Sequence, residues 1–270
     1  MRPDWRWLAL LLAALLVAGC ARAVKVKPPK IKGSEEVAPT YHLEDSAQTK
    51  HRVQVRELVG LAEQRLASGE LDLAESHVRK ALKQDPASAD AHTLLGVIES
   101  RRGRAAGAGQ HYRRAAELAP DQGETLNNYG AWLCANGYPA EALVWFDRAL
   151  AAPSYRSPVS ALANAGGCAL KSGQYERAGR DLRRALDIEP GNAYALASMA
   201  EYQYGQGHYF EARAFSERRL AAAPADASVL QLAAAIEQGL GDKVAASRYQ
   251  QRLRVEFPQA ANAQTGEGPK

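Results

Sequence analysis

The chain has 270 residues, of which 46% are hydrophobic and 24% charged, and its formal net charge is only +4. This composition is typical of a folded soluble protein, and the even spread of basic residues gives no indication of nucleic-acid binding. The sequence contains no HExxH, Gly-x-Ser-x-Gly or Ser-x-x-Lys motif and no glycine-rich phosphate loop. We therefore expect no enzyme, no small-molecule substrate, no cofactor and no metal site, and we do not expect the six histidines to converge.

The first stretch, residues 1–19, is predicted to be an export signal. Two arginines precede an uncharged Leu/Ala-rich run from Trp7 to Gly19, which is too short to span a bilayer comfortably. The end of this run, with Cys20 after Val-Ala-Gly, resembles the bacterial lipobox. The resemblance implies that Cys20 is the first mature residue and carries a diacylglycerol and an N-acyl chain. The alternatives are an ordinary secretory signal with a coincidental cysteine, or a short anchor helix.

Residues 20–50 are predicted to be the lipidated N-terminus and a disordered tether, because they contain several prolines and no sustained apolar period. The residue after the cysteine is Ala21, whereas lipoproteins retained in the inner membrane commonly carry Asp there. The sorting rule therefore implies the periplasmic leaflet of the outer membrane. Five basic residues between Arg22 and Lys32 either bind anionic head groups or simply keep the tether soluble.

Residues 51–260 contain a repeating helical hairpin, seen most clearly from Leu126 to Ala149. Apolar and small residues recur there at three- and four-residue steps on both sides of Asn136-Gly137, as two helices with one shared seam require. The turn glycine recurs at steps of 34 or 36 residues, and an alanine follows each glycine at a fixed offset of five. The glycines are Gly69, Gly103, Gly137, Gly173, Gly207 and Gly241, and the alanines are Ala74, Ala108, Ala142, Ala178, Ala212 and Ala246.

This pattern resembles the tetratricopeptide repeat, whose period is 34 residues. Glycine takes the backbone through a left-handed turn, alanine lets the two helices approach closely, and a proline ends each unit. The resemblance implies an all-α, right-handed superhelical solenoid of six tetratricopeptide helix-turn-helix repeats. The repeats run 55–88, 89–122, 123–156, 159–192, 193–226 and 227–260, and residues 261–270 form a tail of disordered composition.

Three departures from the regular pattern carry expectations of their own. The fifth repeat has Ser216 and Arg219 where the third has Phe146 and Ala149, and the sixth departs similarly, so the second helices there are expected to be rotated or packed against something else. Capping of the array is the alternative explanation. The connection 152–158 is two residues longer than the others, and Ser157 before Pro158 predicts a helix start and a local change of superhelical pitch.

Cys134 and Cys168 fall in the first helices of neighbouring repeats. A disulfide is conceivable in an exported protein. The two cysteines do not occupy equivalent repeat positions, so two free, partly buried thiols are the preferred interpretation.

The concave face of such an array is lined by the first helices, and a protein segment with apolar side chains is the expected ligand. Counting along each repeat predicts a groove with few charges, in which Asn128 and Asn164 hold matching positions but no Lys/Arg/Asn clamp for a carboxylate is assembled. The alternative is that an alanine-rich wall is merely a product of helix packing. The candidate groove residues are Val59, Glu63, Leu66, Val97, Arg101, Asn127, Asn128, Ala131, Asn164, Leu170, Lys171, Tyr194 and Tyr204.

The lipobox, the short tether and the six repeats together resemble the type IV pilus biogenesis lipoproteins of the PilF/PilW family. Repeats three and four, with the lengthened connection between them, carry the resemblance best. It implies a non-enzymatic, pilotin-like protein of the outer membrane that binds the secretin subunit and promotes its localisation and multimerisation, and thereby twitching motility. A periplasmic tetratricopeptide scaffold for cell-wall or protease complexes is the alternative.

Overall fold

The computed structural model describes residues 46–260, so the predicted signal peptide, Cys20, nearly all of the predicted tether and the tail 261–270 lie outside the described residues. Within this range the chain forms twelve helices and no strand, and none of the helices is long and apolar enough to cross a membrane. They are α1 (Ala47–Ala67), α2 (Leu71–Gln84), α3 (Ala89–Arg101), α4 (Ala105–Leu118), α5 (Gly123–Ala135), α6 (Pro139–Ala151), α7 (Pro158–Lys171), α8 (Tyr175–Ile188), α9 (Ala193–Gly205), α10 (Tyr209–Ala222), α11 (Ala227–Gly239) and α12 (Lys243–Glu256).

Consecutive helices pair as six antiparallel hairpins, and each hairpin packs on the next, so the predicted all-α tetratricopeptide solenoid is confirmed. The first helix, α1, begins at Ala47, upstream of the predicted domain start at residue 51. Ser46 begins it, because its hydroxyl accepts a hydrogen bond from the Thr49 backbone N–H at 3.1 Å.

The interhelical turns follow the predicted glycine column. All six turn glycines have a positive φ, between 72° and 92°, and no other residue type in the described range does. The residue after each glycine donates its backbone N–H to the carbonyl five residues earlier, as Tyr138 does to Leu133 at 2.9 Å. The same local geometry therefore closes every hairpin, which explains why one residue type recurs at this position.

The alanine column lies in the seam between the two helices of each hairpin, where its members are 0–3% exposed. Next to this seam a glycine on the first helix admits a large side chain from the second. In the third repeat a Cβ on Gly130 would lie 2.8 Å from the Phe146 ring, and that ring is fully buried. In this repeat the two helix axes approach closely because Ala142 and Gly130 have little or no side chain. Large apolar residues such as Phe146 fill the remaining space.

The second helix of the fifth repeat keeps the common register, so the expected rotation is wrong for α10. Ser216 and Arg219 occupy the inward positions and are 4% and 8% exposed. The Arg219 guanidinium donates to the carbonyl oxygens of Ala223 at 2.9 Å and Pro224 at 3.2 Å, which directly follow the last residue of its own helix, Ala222. A charged residue is accepted in this seam because its hydrogen bonds are made to backbone carbonyls.

The lengthened connection between repeats three and four ends as predicted, since α7 begins at Pro158 with Ser157 before it. The Ser157 side chain makes no capping hydrogen bond. The connection is instead held by Tyr155, whose ring packs on Gly123 so closely that a Cβ there would lie 2.5 Å from it. Burial raises the pKa of the Tyr155 hydroxyl to about 12. The change of pitch stays a prediction.

Candidate protein-binding groove

The six first helices form one continuous wall, because α1, α3, α5, α7, α9 and α11 each contact the next in that order. Charged residues are rare on the inner helices of this wall. From α5 onward each first helix carries a single charged residue. These are Glu124 on α5, Lys171 on α7, Glu201 on α9 and Glu237 on α11. The second helices carry most of the remaining charge, for example four arginines on α8. Between α5 and α11 the wall therefore carries few charged residues, whereas α1 and α3 carry several, among them Arg56, Glu63, Glu99 and Arg101.

The centre of the wall is crosslinked, which corrects the expectation of two free thiols. Cys134 on α5 and Cys168 on α7 form a disulfide, with their Cα atoms 5.9 Å apart. Both side chains are buried, at 8% and 0% exposure. Non-equivalent repeat positions meet because the two helices are not aligned residue by residue. The bond joins repeats three and four covalently.

A second link between the same two helices lies closer to their N-termini. The Asn164 side-chain amide donates to the side-chain oxygen of Asn127 at 3.1 Å. Sequence counting placed Asn128, not Asn127, at the repeat position that matches Asn164, and it did not predict this hydrogen bond. The disulfide and this hydrogen bond therefore join α5 to α7 at two positions along their length.

At the N-terminal end, two of the predicted groove residues belong to the core. Val59 and Leu66 are 8% and 7% exposed and pack in the cluster formed by the first two repeats. Glu63 is exposed, and Arg101 donates to the Leu66 carbonyl oxygen at 2.7 Å, thereby bonding the end of α1. Val59 and Leu66 therefore stabilise the array and do not present an apolar surface to a partner.

The middle of the groove contains a cavity of about 390 Å³, here called the repeat 2–3 cavity. Two predicted groove residues, Asn128 and Ala131, line it, and Val97 is half-buried where the cores of the first three repeats meet. Burial raises the pKa of the Tyr112 hydroxyl in its wall, although a hydrogen bond with Ser100 opposes the shift. The lining residues are Ser100, Gly103, Ala105, Tyr112, Asn128, Ala131, Trp132, Ala135 and Asn136.

The C-terminal half of the groove contains a larger and more polar cavity of about 860 Å³, here called the repeat 4–6 cavity. Lys171, Tyr194 and Tyr204 from the predicted set line it, while Leu170 is half-buried against the core. Tyr194 is 46% exposed, but its hydroxyl end packs over Gly167 beside Ser198, and this burial raises its pKa. The charged lining residues are Lys171, Glu201, Arg219 and Asp226.

The expectation that no histidines converge is wrong for one pair. His92 and His111 bring their Nδ1 atoms to 3.2 Å, and His92 Nε2 lies 3.2 Å from the Pro86 carbonyl oxygen. Because that carbonyl only accepts, Nε2 carries the hydrogen and the neutral His92 accepts at Nδ1 from His111. No group of three metal-ligating side chains occurs in residues 46–260.

Two tetratricopeptide repeat family models match the chain, one at residues 59–123 and the other at residues 169–236. The type IV pilus assembly protein PilF of Pseudomonas aeruginosa is 25% identical over 193 residues, which cover 72% of this chain and 77% of PilF. The crystal structure of PilW, described as a widely conserved type IV pilus biogenesis factor, superposes with a TM-score of 0.70 at 29% identity, covering 78% of this chain and 97% of PilW. The chain is a tetratricopeptide repeat protein homologous to PilF and PilW.

One solved structure and one further relative are also similar to this chain. The crystal structure of P. aeruginosa PilF covers 81% of this chain and the whole of its own with a TM-score of 0.69, and at 23% identity it supports the fold. An uncharacterized protein of Haemophilus influenzae is 26% identical over 149 residues, covering 55% of this chain and 83% of that protein. This PilF/PilW homologue therefore shares its repeat array with both structures over nearly their full length.

Sequence reasoning missed several residues that shape the groove. Trp132 and Tyr112 line the repeat 2–3 cavity, yet neither occupies a position that the repeat count assigns to the concave face. Ser100 could have been found, since it holds the twelfth position of its repeat. Arg219 was noticed only as an anomaly of the seam, although it also lines the repeat 4–6 cavity.

Proposed function

We propose that this protein is an outer-membrane lipoprotein that assists type IV pilus biogenesis by binding the secretin subunit in its groove. Binding would promote localisation of the subunit and its assembly into a multimer. The observation that carries the proposal is the match to PilW, which extends over 97% of that chain and therefore includes the whole repeat array. The similarity to PilF by sequence supports the same assignment.

The groove is suited to holding an unassembled subunit. The part of its wall from α5 to α11 has few charges and favours segments that would otherwise expose apolar surface, because burying apolar area gains about 25 cal/mol per Å². The Cys134–Cys168 bond and the Asn127–Asn164 hydrogen bond hold the middle of the wall in one arrangement. A preformed surface loses less conformational entropy on binding than a mobile one.

The anchor is proposed from the sequence, since Cys20 and the residues around it lie outside the described part. Several acyl chains on Cys20 would keep the protein on one membrane surface, because each buried CH₂ contributes about 0.8 kcal/mol. The tether would then let the groove search for subunits near that surface. A Cys20→Ala variant should take up no radiolabelled palmitate and should fractionate away from the outer membrane, whereas unchanged labelling would contradict the anchor.

The test of the function is a deletion strain complemented with wild-type or variant protein. We expect the deletion to abolish surface pili, twitching and heat-stable secretin multimers, and wild-type protein to restore all three. Co-purification of the secretin subunit with the complementing protein would support direct binding. Normal piliation together with altered peptidoglycan cross-linking or proteolysis would contradict the proposal and favour a scaffold for cell-wall or protease complexes.

A further inference from the structure

The two cavities of the groove differ in charge. No charged residue lines the repeat 2–3 cavity, whereas four charged residues line the repeat 4–6 cavity. We infer that the repeat 2–3 cavity receives a bulky, uncharged apolar side chain of the bound secretin subunit, an inference that rests on the proposed function. The segment on either side of this anchor residue would continue along the wall.

The aromatic wall of the cavity is fixed before any ligand arrives. The Trp132 indole N–H donates to the Ala105 carbonyl oxygen at 3.1 Å, and its ring packs so tightly on Gly109 that a Cβ there would lie 2.3 Å away. The other side of the ring stacks with Tyr129, at 6.1 Å between centroids and 12° between planes. Since these contacts hold one rotamer, ligand binding does not have to order this side chain.

The residues that line the cavity determine which kind of side chain it can hold. Three alanines, Ala105, Ala131 and Ala135, leave the space open, and a volume of about 390 Å³ lies at the lower end of the range for small-ligand pockets. A charged side chain would find no lining residue of opposite charge here, whereas an apolar one gains from contact with the Tyr112 and Trp132 rings. Asn128 lies at the rim, and its side-chain amide makes no hydrogen bond to residues 46–260, so it can pair with the backbone of the bound segment.

The protein offers a matched pair of substitutions to test this. Ala131 and Ala235 both hold the ninth position of their repeats and both are half-buried, but Ala131 lines the repeat 2–3 cavity and Ala235 the repeat 4–6 cavity. Ala131→Leu would fill the first cavity with its own side chain, and Ala235→Leu makes the same change in the second. Ala135→Leu fills the first cavity from an exposed position, where folding is least at risk.

The measurement is the affinity of the full-length protein, in detergent, for the purified secretin subunit of the same organism, with circular dichroism to check folding. We expect Ala131→Leu and Ala135→Leu to weaken binding about tenfold or more, as loss of an anchor pocket does, and Ala235→Leu, on the same wall but outside that pocket, to weaken it clearly less than Ala131→Leu. Wild-type affinity in both cavity-filling variants would overturn the inference while leaving the proposed function standing. A loss confined to Ala235→Leu would also overturn it. No binding by the wild-type protein would contradict the proposed function and the inference together.

Discussion

The central and the C-terminal repeats have the same backbone but are stabilised differently. In repeats three and four, Phe146 and Leu182 fill equivalent seam positions and are fully buried, and a disulfide joins the two repeats. In repeat five the equivalent position is Ser216, and an ion pair between the partly exposed Arg213 and the buried Glu237 connects α10 to α11. The repeat backbone therefore tolerates either apolar packing or paired charge, provided that the turn glycine and the seam alanine are kept.

The largest expected effect is the loss of packing in the centre. Phe146→Ala should lower the free energy of unfolding by about 3–5 kcal/mol, because it leaves a cavity between two helices held apart by their neighbours. Ser216→Ala, at the equivalent position of repeat five, should change it by less than about 1.5 kcal/mol. Both values come from urea unfolding followed by circular dichroism. An equal decrease in the free energy of unfolding in both variants would contradict the view that repeat three depends on apolar packing at this position and repeat five does not.

The crosslink gives the next largest effect. Removing the bond in a Cys134→Ala/Cys168→Ala variant should cost about 2–4 kcal/mol, since the unfolded chain then recovers the freedom of the loop that the bond closes. Wild-type protein in excess reductant should show the same reduced stability, while reductant should leave the double variant unchanged. Mass spectrometry of the alkylated wild-type protein checks the bond directly, and two free thiols would restore the interpretation preferred from sequence.

The ion pair of the C-terminal region is expected to contribute less. Arg213 donates from Nε to the Glu237 carboxylate at 3.0 Å, with a second bond from its Nη2, and the Glu237 side chain is 5% exposed. Arg213→Met should destabilise the protein by about 1–3 kcal/mol, because it leaves a buried carboxylate without a donor. Arg213→Met/Glu237→Leu should recover most of this loss, since the double change removes the stranded charge as well. A double variant no more stable than the single one would refute this explanation.

The fold was predictable because it depends on residues at fixed spacing. The turn glycines and seam alanines each meet the same local requirement in every repeat, so a column in the sequence corresponds to one geometry in the structure. The hydrogen bond and the disulfide that join α5 to α7 connect residues at different positions of their repeats. Asn127 and Asn164 are one repeat position apart and Cys134 and Cys168 two apart in the other direction, so their pairing depends on how α5 crosses α7.

The same reason limited the prediction of the groove. Repeat counting found residues that face inward, such as Ala131 and Tyr194, because the direction of a side chain is set by its position on its own helix. It could not predict how much of each inward side chain is covered by neighbouring repeats. Leu66 is buried by them, whereas Ala131 stays half-exposed. It also missed Trp132, whose ring reaches α4 through Gly109, a contact set by side-chain length across the junction of two repeats.

The smallest expected effect is a pH dependence confined to repeat two, outside the two crosslinked repeats. Burial is the main cause that lowers the pKa of both His92 and His111 from 6.5; Arg114 adds to the shift of His92, and the charge of His92 to that of His111. The carboxylate of Glu99 opposes the shift of His111. The pair can take up one proton at His111 Nε2 and keep its hydrogen bond, but a second, at His92 Nδ1, would place two N–H donors face to face at 3.2 Å.

Because both folded pKa values lie below the unfolded value of 6.5, the unfolded chain takes up protons first as the pH falls. The contribution of the pair to stability is therefore complete above that pH and is lost progressively below it, until the folded form is also protonated. Between pH 7 and pH 5 the wild type should lose more stability than His92→Gln/His111→Gln. Parallel pH profiles for the wild type and the double variant would mean that the two rings titrate as exposed groups, and that the contact between α3 and α4 does not depend on their neutral form.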